Sequence, residues 1–472
     1  LSQSLILSNN TLLDTINGFD SLIHIGIDLN ITNCVALKSF NAFFQLQSIG
    51  QYLTLKNLSN LINLQGLNSL ASVGQNCEIS GNSTLFNLAG LDNLRTVGWS
   101  LDILSNSSIE NLTGLDSLST IGRNLTLQDN QSLNSLLALQ SLTRVNRSLE
   151  IINNDNLTNL QGLNHLNFIG RDLSLSDNDK LDDLTALIKL REIGQKLTLI
   201  NNSLLANLSG LDSVTSIGTF MSILNNPVLQ NFQGLNQLSQ VGNIMNINDN
   251  AMLENFSGLD NLTTVGGDLY ITANNNLGSV DGLENLSHIN GRLYINDNLL
   301  LANLTGLNTL QEINGELRIL RNNQLTTLNG LDNIDPASIT NLLISGSSKL
   351  SVCGVKSICK FLETPTNLAS ISSNASGCDS RAEVIVSCSM CPNCFIAQTN
   401  AWIGPDVGNW NQDASFWSTG AFPIACDMVS IPSGKSITLE AGQMAECFTI
   451  DIETGAQFNT QINTVFTVHC QN

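Results

Sequence analysis

The chain has 472 residues, with 39 Asp or Glu against 19 Lys or Arg, so its formal net charge is −20. A charge of this sign repels nucleic acid and anionic membranes, and it argues against both as partners. The sequence has no apolar run long enough to span a membrane and no signal peptide, so we expect a mature, secreted chain at a cell surface or in the extracellular medium, without membrane insertion.

A phrase of eleven residues recurs every 24 residues through most of the chain. It reads Leu-Thr-Gly-Leu-Asp-Ser-Leu-Ser-Thr-Ile-Gly at 112–122 and can be followed from Ile16 to about Leu328, in fourteen copies. A fixed period of this length indicates a solenoid, in which each turn buries its apolar face against the neighbouring turns.

Each turn contains one short segment in which apolar and polar residues alternate. In the turn that opens at Ile121 this segment contains Leu125 and Leu127, with Thr126 between them. Alternation with a period of two predicts a strand with one buried face. Because the pair recurs every 24 residues, we expect these strands to stack into a parallel sheet along one side of a long core.

An asparagine follows the second buried strand position by three residues in most turns. Its amide can satisfy backbone groups of its own turn and of the next, which predicts a buried ladder. Cys34 and Leu58 occupy this place in two early turns, so the ladder should be interrupted there. The predicted members include Asn10 and the structural ladder Asn82, Asn106, Asn130, Asn154, Asn178, Asn202, Asn226, Asn250, Asn274, Asn298 and Asn322.

Glycine dominates the third place of the phrase and usually closes it, as in Gly114 and Gly122. Both glycines fit corners that need a positive φ or close packing between turns. The residue two places after the first glycine is often acidic, as in Asp92 and Asp116. We expect this acid to cap a single helical turn formed by the residues that follow, in preference to contributing to a metal-binding ladder.

The repeated pattern Leu-x-Leu-x-x-Asn-x-x-Leu-x-x-Leu-x-Gly-Leu-x-x-Leu-x-x-Ile-Gly resembles a leucine-rich repeat. More closely, it resembles the L domains of growth-factor and insulin receptors and their relatives among secreted surface proteins of the Bacteroidota. The resemblance covers residues 1 to about 350. It implies an all-β fold, a right-handed parallel β-solenoid with little helix, followed by a disulfide-rich cap and a small C-terminal β-module.

The repeat stops near Pro336, after which Leu342–Ile344 is the last strand-like segment. We therefore divide the chain into a solenoid over 1–345, a cysteine-rich cap over 346–394 and a small module over 395–472. The cap should contain a short helix and a loop tied by four cysteines, and it resembles the caps that follow such repeats in secreted Bacteroidota proteins. Four cysteines allow three pairings, which the sequence leaves open.

Residues 395–472 contain short alternating strands punctuated by Gly and Pro, which predicts a small all-β module. This segment also resembles β-rich modules of Bacteroidota surface proteins. Three of the four tryptophans, Trp402, Trp410 and Trp417, lie here within sixteen residues. They could stack on sugars, but packing in a small core is the favoured interpretation.

Nine of the eleven cysteines follow residue 350, and such clustering favours disulfides in an oxidising compartment. The spacing Cys388-x-x-Cys391-x-x-Cys394 would also suit zinc, but no fourth ligand stands nearby. Cys34 and Cys77 are expected to be buried free thiols, so one of the remaining nine would be free or bonded to another chain. The disulfide candidates are Cys353, Cys359, Cys378, Cys388, Cys391, Cys394, Cys426, Cys447 and Cys470.

The sequence contains no convincing catalytic constellation. His24, His165, His288 and His469 are too dispersed to meet, and neither a phosphate loop nor a distinct pair of carboxylates on adjacent turns is present. A solenoid also offers a flat or gently curved face and no deep cleft. We therefore expect a protein that is not an enzyme and that needs no cofactor and no metal.

The outward residue between the two buried strand positions is small and polar in most turns, but it changes toward the C-terminal end. There the row runs Asn246, Tyr270, Tyr294 and Arg318 on successive turns. Tyrosine and arginine are enriched at binding hot spots, so these four are the candidate ligand-binding residues. The structural alternative is a tyrosine ladder that only stabilises the sheet face.

The chain starts directly in a strand, without the polar cap that repeat proteins normally carry. This favours a structural or adhesive protein whose copies join head to tail into a surface fibre, because contacts that do not close generate filaments. The alternative is a cell-surface recognition protein that binds a glycan or a protein through the sheet face. A carbohydrate-active enzyme built on a solenoid is the third hypothesis, and it lacks an acid pair.

Overall fold

A computed structural model describes residues 1–40, 42–390, 399–419, 421–423, 428–441, 443–447, 449–461 and 465–468. Within these ranges, only the backbone is described for residues 389–390, 428, 446–447, 449 and 465–468. The described residues between Leu5 and Ser372 form a parallel β-solenoid, which confirms the predicted fold class. Each 24-residue turn contributes one strand of four or five residues to a long sheet and, in most turns, one of two residues to a second sheet.

The long sheet, here called the front sheet, has 16 strands in chain order, all paired in parallel with the strand one turn away. Alternating leucine and isoleucine side chains point into the core, so Leu125 pairs with Leu149 and Leu127 with Ile151. The strands are Leu5–Ser8, Leu29–Thr32, Leu53–Lys56, Cys77–Ser80, Leu101–Leu104, Leu125–Gln128, Leu149–Ile152, Leu173–Ser176, Lys196–Ile200, Phe220–Leu224, Met245–Asn248, Leu269–Thr272, Leu293–Asn296, Glu316–Leu320, Asn341–Ser345 and Ala369–Ser372.

The second sheet, here called the side sheet, has 13 strands built from the Ile-Gly end of the phrase. They are His24–Ile25, Ser48–Ile49, Ser72–Val73, Thr96–Val97, Thr120–Ile121, Arg144–Val145, Phe168–Ile169, Glu192–Ile193, Ser216–Ile217, Gln240–Val241, Thr264–Val265, His288–Ile289 and Glu312–Ile313. Thr15–Ile16 and Ser39–Phe40 pair separately. Four turns contain 3-10 helices, at Leu137–Leu139, Thr185–Leu187, Thr305–Leu307 and Pro336–Ser338.

The asparagine ladder is present, and its members from Asn82 to Asn322 are fully buried. At Asn154 the side-chain amide donates to the carbonyl oxygens of Leu127 at 2.9 Å and Ile152 at 3.0 Å. The same side chain accepts the backbone N–H of Asn130 at 3.2 Å. Asn154 therefore satisfies backbone groups of its own turn and of the preceding turn, whereas the side-chain oxygen of Asn202 has no hydrogen-bond partner among the described residues.

The ladder is interrupted near its N-terminal end, also as predicted. Asn10 is exposed. Cys34 brings its sulfur within 3.7 Å of the carbonyl oxygen of Leu7, and Leu58 contributes only its backbone N–H, which donates to Asn82. Toward the other end Ser347 and then Asn374 continue the ladder beyond the recognisable repeat.

The residue before each ladder position lies in the left-handed region, with φ between 52° and 60° in fourteen turns, 66° at Gly81 and 76° at Gly346. Asparagine, aspartate and glycine tolerate this conformation, and they hold most of these places. The side chains form a second polar row at the corner: Asn33 donates to Asn9 at 2.9 Å, and Asn201 to Asp177 at 2.6 Å. The sequence interpretation missed this row.

The two glycines of the phrase act differently. Gly114 has a φ of 109°, whereas Gly122 has no positive φ but lies so close to the previous turn that a Cβ would overlap the carbonyl oxygen of Gly98.

The acids two places after the first glycine do not cap a following helix, so that prediction was wrong. They accept the N–H of the glycine itself, as Asp116 does from Gly114 at 3.1 Å.

The cap closes the C-terminal end of the solenoid core. Leu342–Ile344 was predicted as the last strand, but the front sheet gains one more, Ala369–Ser372, so that prediction was wrong. Two helices follow the repeat, α1 over Lys356–Leu362 and α2 over Arg381–Met390, where one was expected. Disulfides join Cys353 to Cys378 and Cys359 to Cys388, which selects one of the three possible pairings.

The described part of the C-terminal module contains eight strands whose pairings are all parallel. Met428–Ile431 lies between Thr399–Ala401 and Thr449–Ile452, and Ser436–Leu439 between Val407–Asn409 and Gln457–Thr460, while Met444–Cys447 pairs with Val465–Val468. A 3-10 helix spans Ala414–Phe416. Successive strands are 21 residues apart in three of these pairings, so the described part of the module is itself a small parallel solenoid.

The three tryptophans of the module are core residues. Trp402, Trp410 and Trp417 are at most 1% exposed, and Trp417 contacts both others, with ring centroids 5.1 and 4.8 Å away. This confirms the favoured interpretation and excludes them as a sugar-stacking surface in this conformation. Among the described residues, no helix is long and apolar enough to cross a membrane.

Candidate functional site

The front sheet brings the four candidate binding residues together. Asn246, Tyr270, Tyr294 and Arg318 are direct partners on four successive parallel strands. Their neighbours on either side along each strand point into the core, so the four side chains share the outward face. Neighbouring strands are about 4.8 Å apart, so this row extends over about 14 Å.

The two tyrosine rings contact each other edge to face, with centroids 5.9 Å apart and an angle of 82° between the planes. The hydroxyl of Tyr270 donates to Asp268 at 2.7 Å. Burial raises the pKa of this phenol, and the hydrogen bond to Asp268 raises it further. Tyr270 is therefore fixed in orientation at both its ring and its hydroxyl, as a preorganised contact residue should be.

Arg318 is paired with a carboxylate that the sequence interpretation did not select. Glu316 lies 2.7 Å from Arg318 and 3.6 Å from Arg292, and it also accepts the side-chain amide of Asn341 at 3.0 Å. The Asn341 hydrogen bond, followed by the two arginines, holds the pKa of Glu316 below its usual range. The carboxylate stays ionised and fixes the arginine side chain.

We define the tyrosine patch as Tyr270, Tyr294 and Arg318 together with Asp268, Arg292 and Glu316. The last three hold the place two residues before Tyr270, Tyr294 and Arg318: Asp268 and Arg292 lie immediately before their strands, and Glu316 is the first residue of its strand. Inspection of this second column in the sequence would have found them. A third ion pair, from Arg321 to Asp297 at 2.7 and 2.6 Å, lies at the adjoining corner.

The N-terminal half of the same face is acidic. Glu78 and Asp102 are direct partners on adjacent strands, and Lys56 pairs with Glu78 at 3.0 Å. Burial raises the pKa of Asp102, with a further contribution from the charge of Glu78 that a hydrogen bond to Thr126 opposes. The sequence interpretation found no distinct pair of acids on adjacent turns, and the register of the strands brings this one together.

The described histidines are far apart along the chain, and each is bound locally. His24 contacts the hydroxyl of Ser48 at 2.7 Å, and His165 contacts the carbonyl oxygen of Gln140 at 3.0 Å. His288 contacts the adjacent Ser287 at 2.7 Å, and His469 lies outside the described residues. Among the described residues no group of His, Cys, Asp and Glu is arranged to hold a metal ion.

The described surface also has an open depression of about 560 Å³ at the C-terminal end of the side sheet. Its walls are polar and contain two acids on neighbouring turns, Glu312 and Asp335. Asp335 already accepts the N–H of Ala337 at 2.9 Å, and the depression is not the dry apolar cleft that ligand sites usually provide. Nothing in this geometry assigns a reaction to it.

Of the remaining cysteines, the structure describes the side chains of only two. Cys34 and Cys77 are buried free thiols, as predicted, and burial raises the pKa of Cys77 to about 12. Cys391, Cys394, Cys426 and Cys470 lie outside the described residues, and Cys447 is described by backbone alone. The predicted odd cysteine therefore stays a prediction.

No protein-family model matches this chain, and no curated protein matches it. Among solved structures, an internalin (inlF) from Listeria monocytogenes is 15% identical, with a TM-score of 0.34 over 78% of this chain and 85% of that one. A leucine-rich repeat protein from Bacteroides ovatus is 11% identical, with a TM-score of 0.28 over 89% and 94%. TLR13 in a complex with ssRNA13 is 15% identical, with a TM-score of 0.16 over 79% and 83%.

These similarities are too low to carry an argument about function. The leucine-rich-repeat character of the chain follows from its own geometry, which consists of 24-residue turns, a parallel front sheet and a buried asparagine ladder. The predicted repeat class is confirmed on that basis.

Proposed function

We propose that this chain is an extracellular, non-catalytic recognition protein that binds a glycan or protein through the tyrosine patch on its front sheet. The observation that carries the proposal is the fixed arrangement of Tyr270, Tyr294 and Arg318 on three adjacent strands. Tyrosine and arginine are the residues most enriched at binding hot spots, and a rigid sheet presents them with little loss of conformational entropy.

The contacts within the patch support a binding role beyond simple stabilisation of the sheet. An edge-to-face aromatic pair leaves part of the ring surface open for a sugar or an apolar side chain. Arg318 and Arg292 are held by Glu316, so a partner meets charges that are already oriented. The three charged residues next to the tyrosines are thus positioning residues for the contact surface.

An extracellular location is supported by the two disulfides of the cap, because such bonds persist in oxidising compartments. A non-catalytic role is supported by the separation of the described histidines and by the absence of a metal-binding group among the described residues. Both statements are parts of the proposal.

The test is a binding screen on glycan and extracellular-protein arrays with three forms of the protein. The double variant Tyr270→Ala/Tyr294→Ala removes the patch. Tyr52→Ala is the matched control, because Tyr52 is the remaining tyrosine and lies on the same face, nine turns of the chain away from the patch, beside Trp99. The proposal requires a partner that the wild type and Tyr52→Ala bind and that the double variant loses.

End-to-end assembly into a surface fibre is the second candidate. The first strand, Leu5–Ser8, pairs on one side only, and Ile6 and Leu12 in that turn are 59% and 93% exposed. A preceding segment or a second copy would cover this turn equally well. Electron microscopy at several concentrations, with and without reductant, tests the hypothesis, and single rods under all conditions would exclude it.

A further inference from the structure

Basic residues are unevenly distributed along this acidic chain. Nine of its 19 basic residues lie between Arg95 and Lys196. Three of them, Arg123, Arg147 and Arg171, occupy the same place in successive turns, two residues before a front-sheet strand. We call these three the arginine column. No residue at this place in any turn is acidic.

The backbone holds the arginine column in a straight line. The N–H of Arg123 donates to the carbonyl oxygen of Trp99 at 2.7 Å, and Arg147 donates to Arg123 at 2.9 Å. Arg171 donates to Arg147 at 2.8 Å, and Gln195 to Arg171 at 2.7 Å. The arginine Cα atoms therefore repeat at the strand spacing of about 4.8 Å along the axis of the solenoid.

The charges of the arginine column are not neutralised within the described part of the chain. No Asp or Glu there lies within ion-pairing distance of Arg123, Arg147 or Arg171, although Asp172 is the next residue in sequence. Arg292, Arg318 and Arg321, by contrast, all form ion pairs. Like charges at one place in adjacent turns repel one another, and a bound anion would relieve this repulsion.

Neighbouring side chains orient two of the three guanidinium groups of the column. That of Arg123 lies over the ring of Trp99, 3.8 Å from its centroid. Arg171 donates through two nitrogens to the amide oxygen of Gln195 at 3.1 and 3.0 Å. Arg147 lies between them, exposed, and its side chain forms no hydrogen bond with a described residue.

A fourth arginine, outside the column, widens the positive surface. Arg144 lies on the side sheet, three residues before Arg147, and its guanidinium group is 3.9 Å from the centroid of Phe168. Arginine held over an aromatic ring keeps its charge and its N–H donors on the free edge. The column therefore presents oriented donors in a line, with a further cation beside it.

This geometry selects a long, straight, anionic partner. Guanidinium groups bind carboxylate and sulfate oxygens through paired hydrogen bonds, and three groups in a line require anions that repeat along the partner. A chain whose every sugar carries an acid group meets this requirement. Single-stranded nucleic acid would need aromatic platforms for its bases, and the described aromatic ring in the column, Trp99, is covered by Arg123.

We propose that Arg123, Arg147 and Arg171 form a binding site for an acidic polysaccharide that lies along the solenoid axis. The site is separate from the tyrosine patch, and the proposal does not depend on the function proposed above. Arg144 contributes at the side of the site.

The test is fluorescence polarisation with labelled polygalacturonate at about 50 mM salt, where screening is weak. The triple variant R123Q/R147Q/R171Q should bind at least about tenfold more weakly than the wild type, since three charge-assisted contacts are lost. The control K349Q/K356Q/K360Q makes the same change in net charge at exposed lysines of the cap and should stay within about twofold.

The variant R147E guards against misfolding, because the Arg147 side chain makes no hydrogen bond or ion pair with a described residue that the change could break. It should also lose binding while its unfolding midpoint stays at the wild-type value. Y270A/Y294A should bind polygalacturonate normally. The proposal is overturned if the wild type does not bind, if the triple variant binds as well, or if a 20-mer of oligodeoxythymidylate binds more tightly than polygalacturonate.

Discussion

The backbone N–H of Asn106 donates to the side-chain oxygen of Asn130, 24 residues later, at 3.1 Å. The same contact links Asn130 to Asn154 and Asn154 to Asn178. A fully buried amide is thereby used on both sides, and these turns are tied to one another by bonds that are shielded from water. The row makes register between turns specific, because a shift by one residue would bury a backbone N–H without an acceptor.

Replacement of a ladder residue should destabilise the solenoid. Asn154→Leu leaves the N–H of Asn130 and the carbonyl of Leu127 without their present partner, at a cost of about 2–4 kcal/mol. The control Asn167→Leu changes the same residue type at an exposed site of the same turn. Urea unfolding followed by circular dichroism should show a lower midpoint for the first variant and an unchanged midpoint for the second.

Gly122 should be intolerant of a side chain in its present packing, although asparagine holds the closing place in three other turns, at Asn146, Asn290 and Asn314. Gly122→Ala places a Cβ against the carbonyl oxygen of Gly98, and the stacked backbone can relieve the overlap only by separating two turns. We expect the free energy of unfolding to fall by about 3 kcal/mol or more, within the range for overpacking and strain. Gly278→Ala is the matched control, because nothing lies within 4 Å of its added atom. Equal thermal midpoints for the two variants would contradict this account.

The acidic pair on the front sheet should produce a pH-dependent difference in stability. The pKa of Asp102 is raised above its ordinary value of 3.8, so the folded state binds this proton more tightly than the unfolded state does. The stability that Asp102 contributes is therefore largest below pH 3.8 and is lost as the pH rises through the folded-state pKa. Asp102→Asn should stabilise the protein at pH 7, by about 0.5 kcal/mol for this partly exposed group.

The difference in stability between Asp102→Asn and the wild type should vanish in acid, because both side chains are then neutral. Glu110→Gln removes an exposed carboxylate outside the front sheet and should show no such convergence. Urea midpoints of the three proteins at pH 3 to 8 provide the measurement. If the difference in urea midpoint between Asp102→Asn and the wild type is constant across this pH range, the electrostatic explanation is refuted.

The cap disulfides should stabilise the C-terminal turns more than the rest of the solenoid. Cys353–Cys378 and Cys359–Cys388 close loops of 25 and 29 residues, for which the chain-entropy model gives about 3 kcal/mol each. Because repeat turns interact mainly with their neighbours, the loss should stay local. Hydrogen exchange after replacement of Cys353 and Cys378 by serine should accelerate in Ala369–Ser372 and leave Leu125–Gln128 unchanged.

The repetition in the sequence predicted the solenoid, the inward strand positions and the ladder, because each is a side-chain property repeated at one spacing. The outer polar corner was missed since it depends on a backbone angle: Ala273 and Arg321 hold the same left-handed conformation as Asn201 without any resemblance in chemistry. The strand Ala369–Ser372 was missed because the phrase has disappeared there. Only the pairing of Ala369 with Leu342 reveals it.

The candidate site was predictable only in part. Tyr270, Tyr294 and Arg318 were found because aromatic residues are rare in their column. Glu316 and Asp268 were missed because they look like ordinary surface acids until the register places them beside an arginine and a phenol. The arginine column was overlooked for a related reason, since a chain with net charge −20 draws attention to its acids.

Binding of an array-identified partner by the wild type, Tyr52→Ala and Tyr270→Ala/Tyr294→Ala tests the central claim most directly. Biolayer interferometry on proteins with matched unfolding midpoints should show similar affinities for the first two. The affinity of the double variant should be at least about tenfold lower, as expected when two hot-spot aromatics are removed. Equal affinity of all three proteins, or no partner for the wild type on glycan and protein arrays, would contradict recognition through the tyrosine patch.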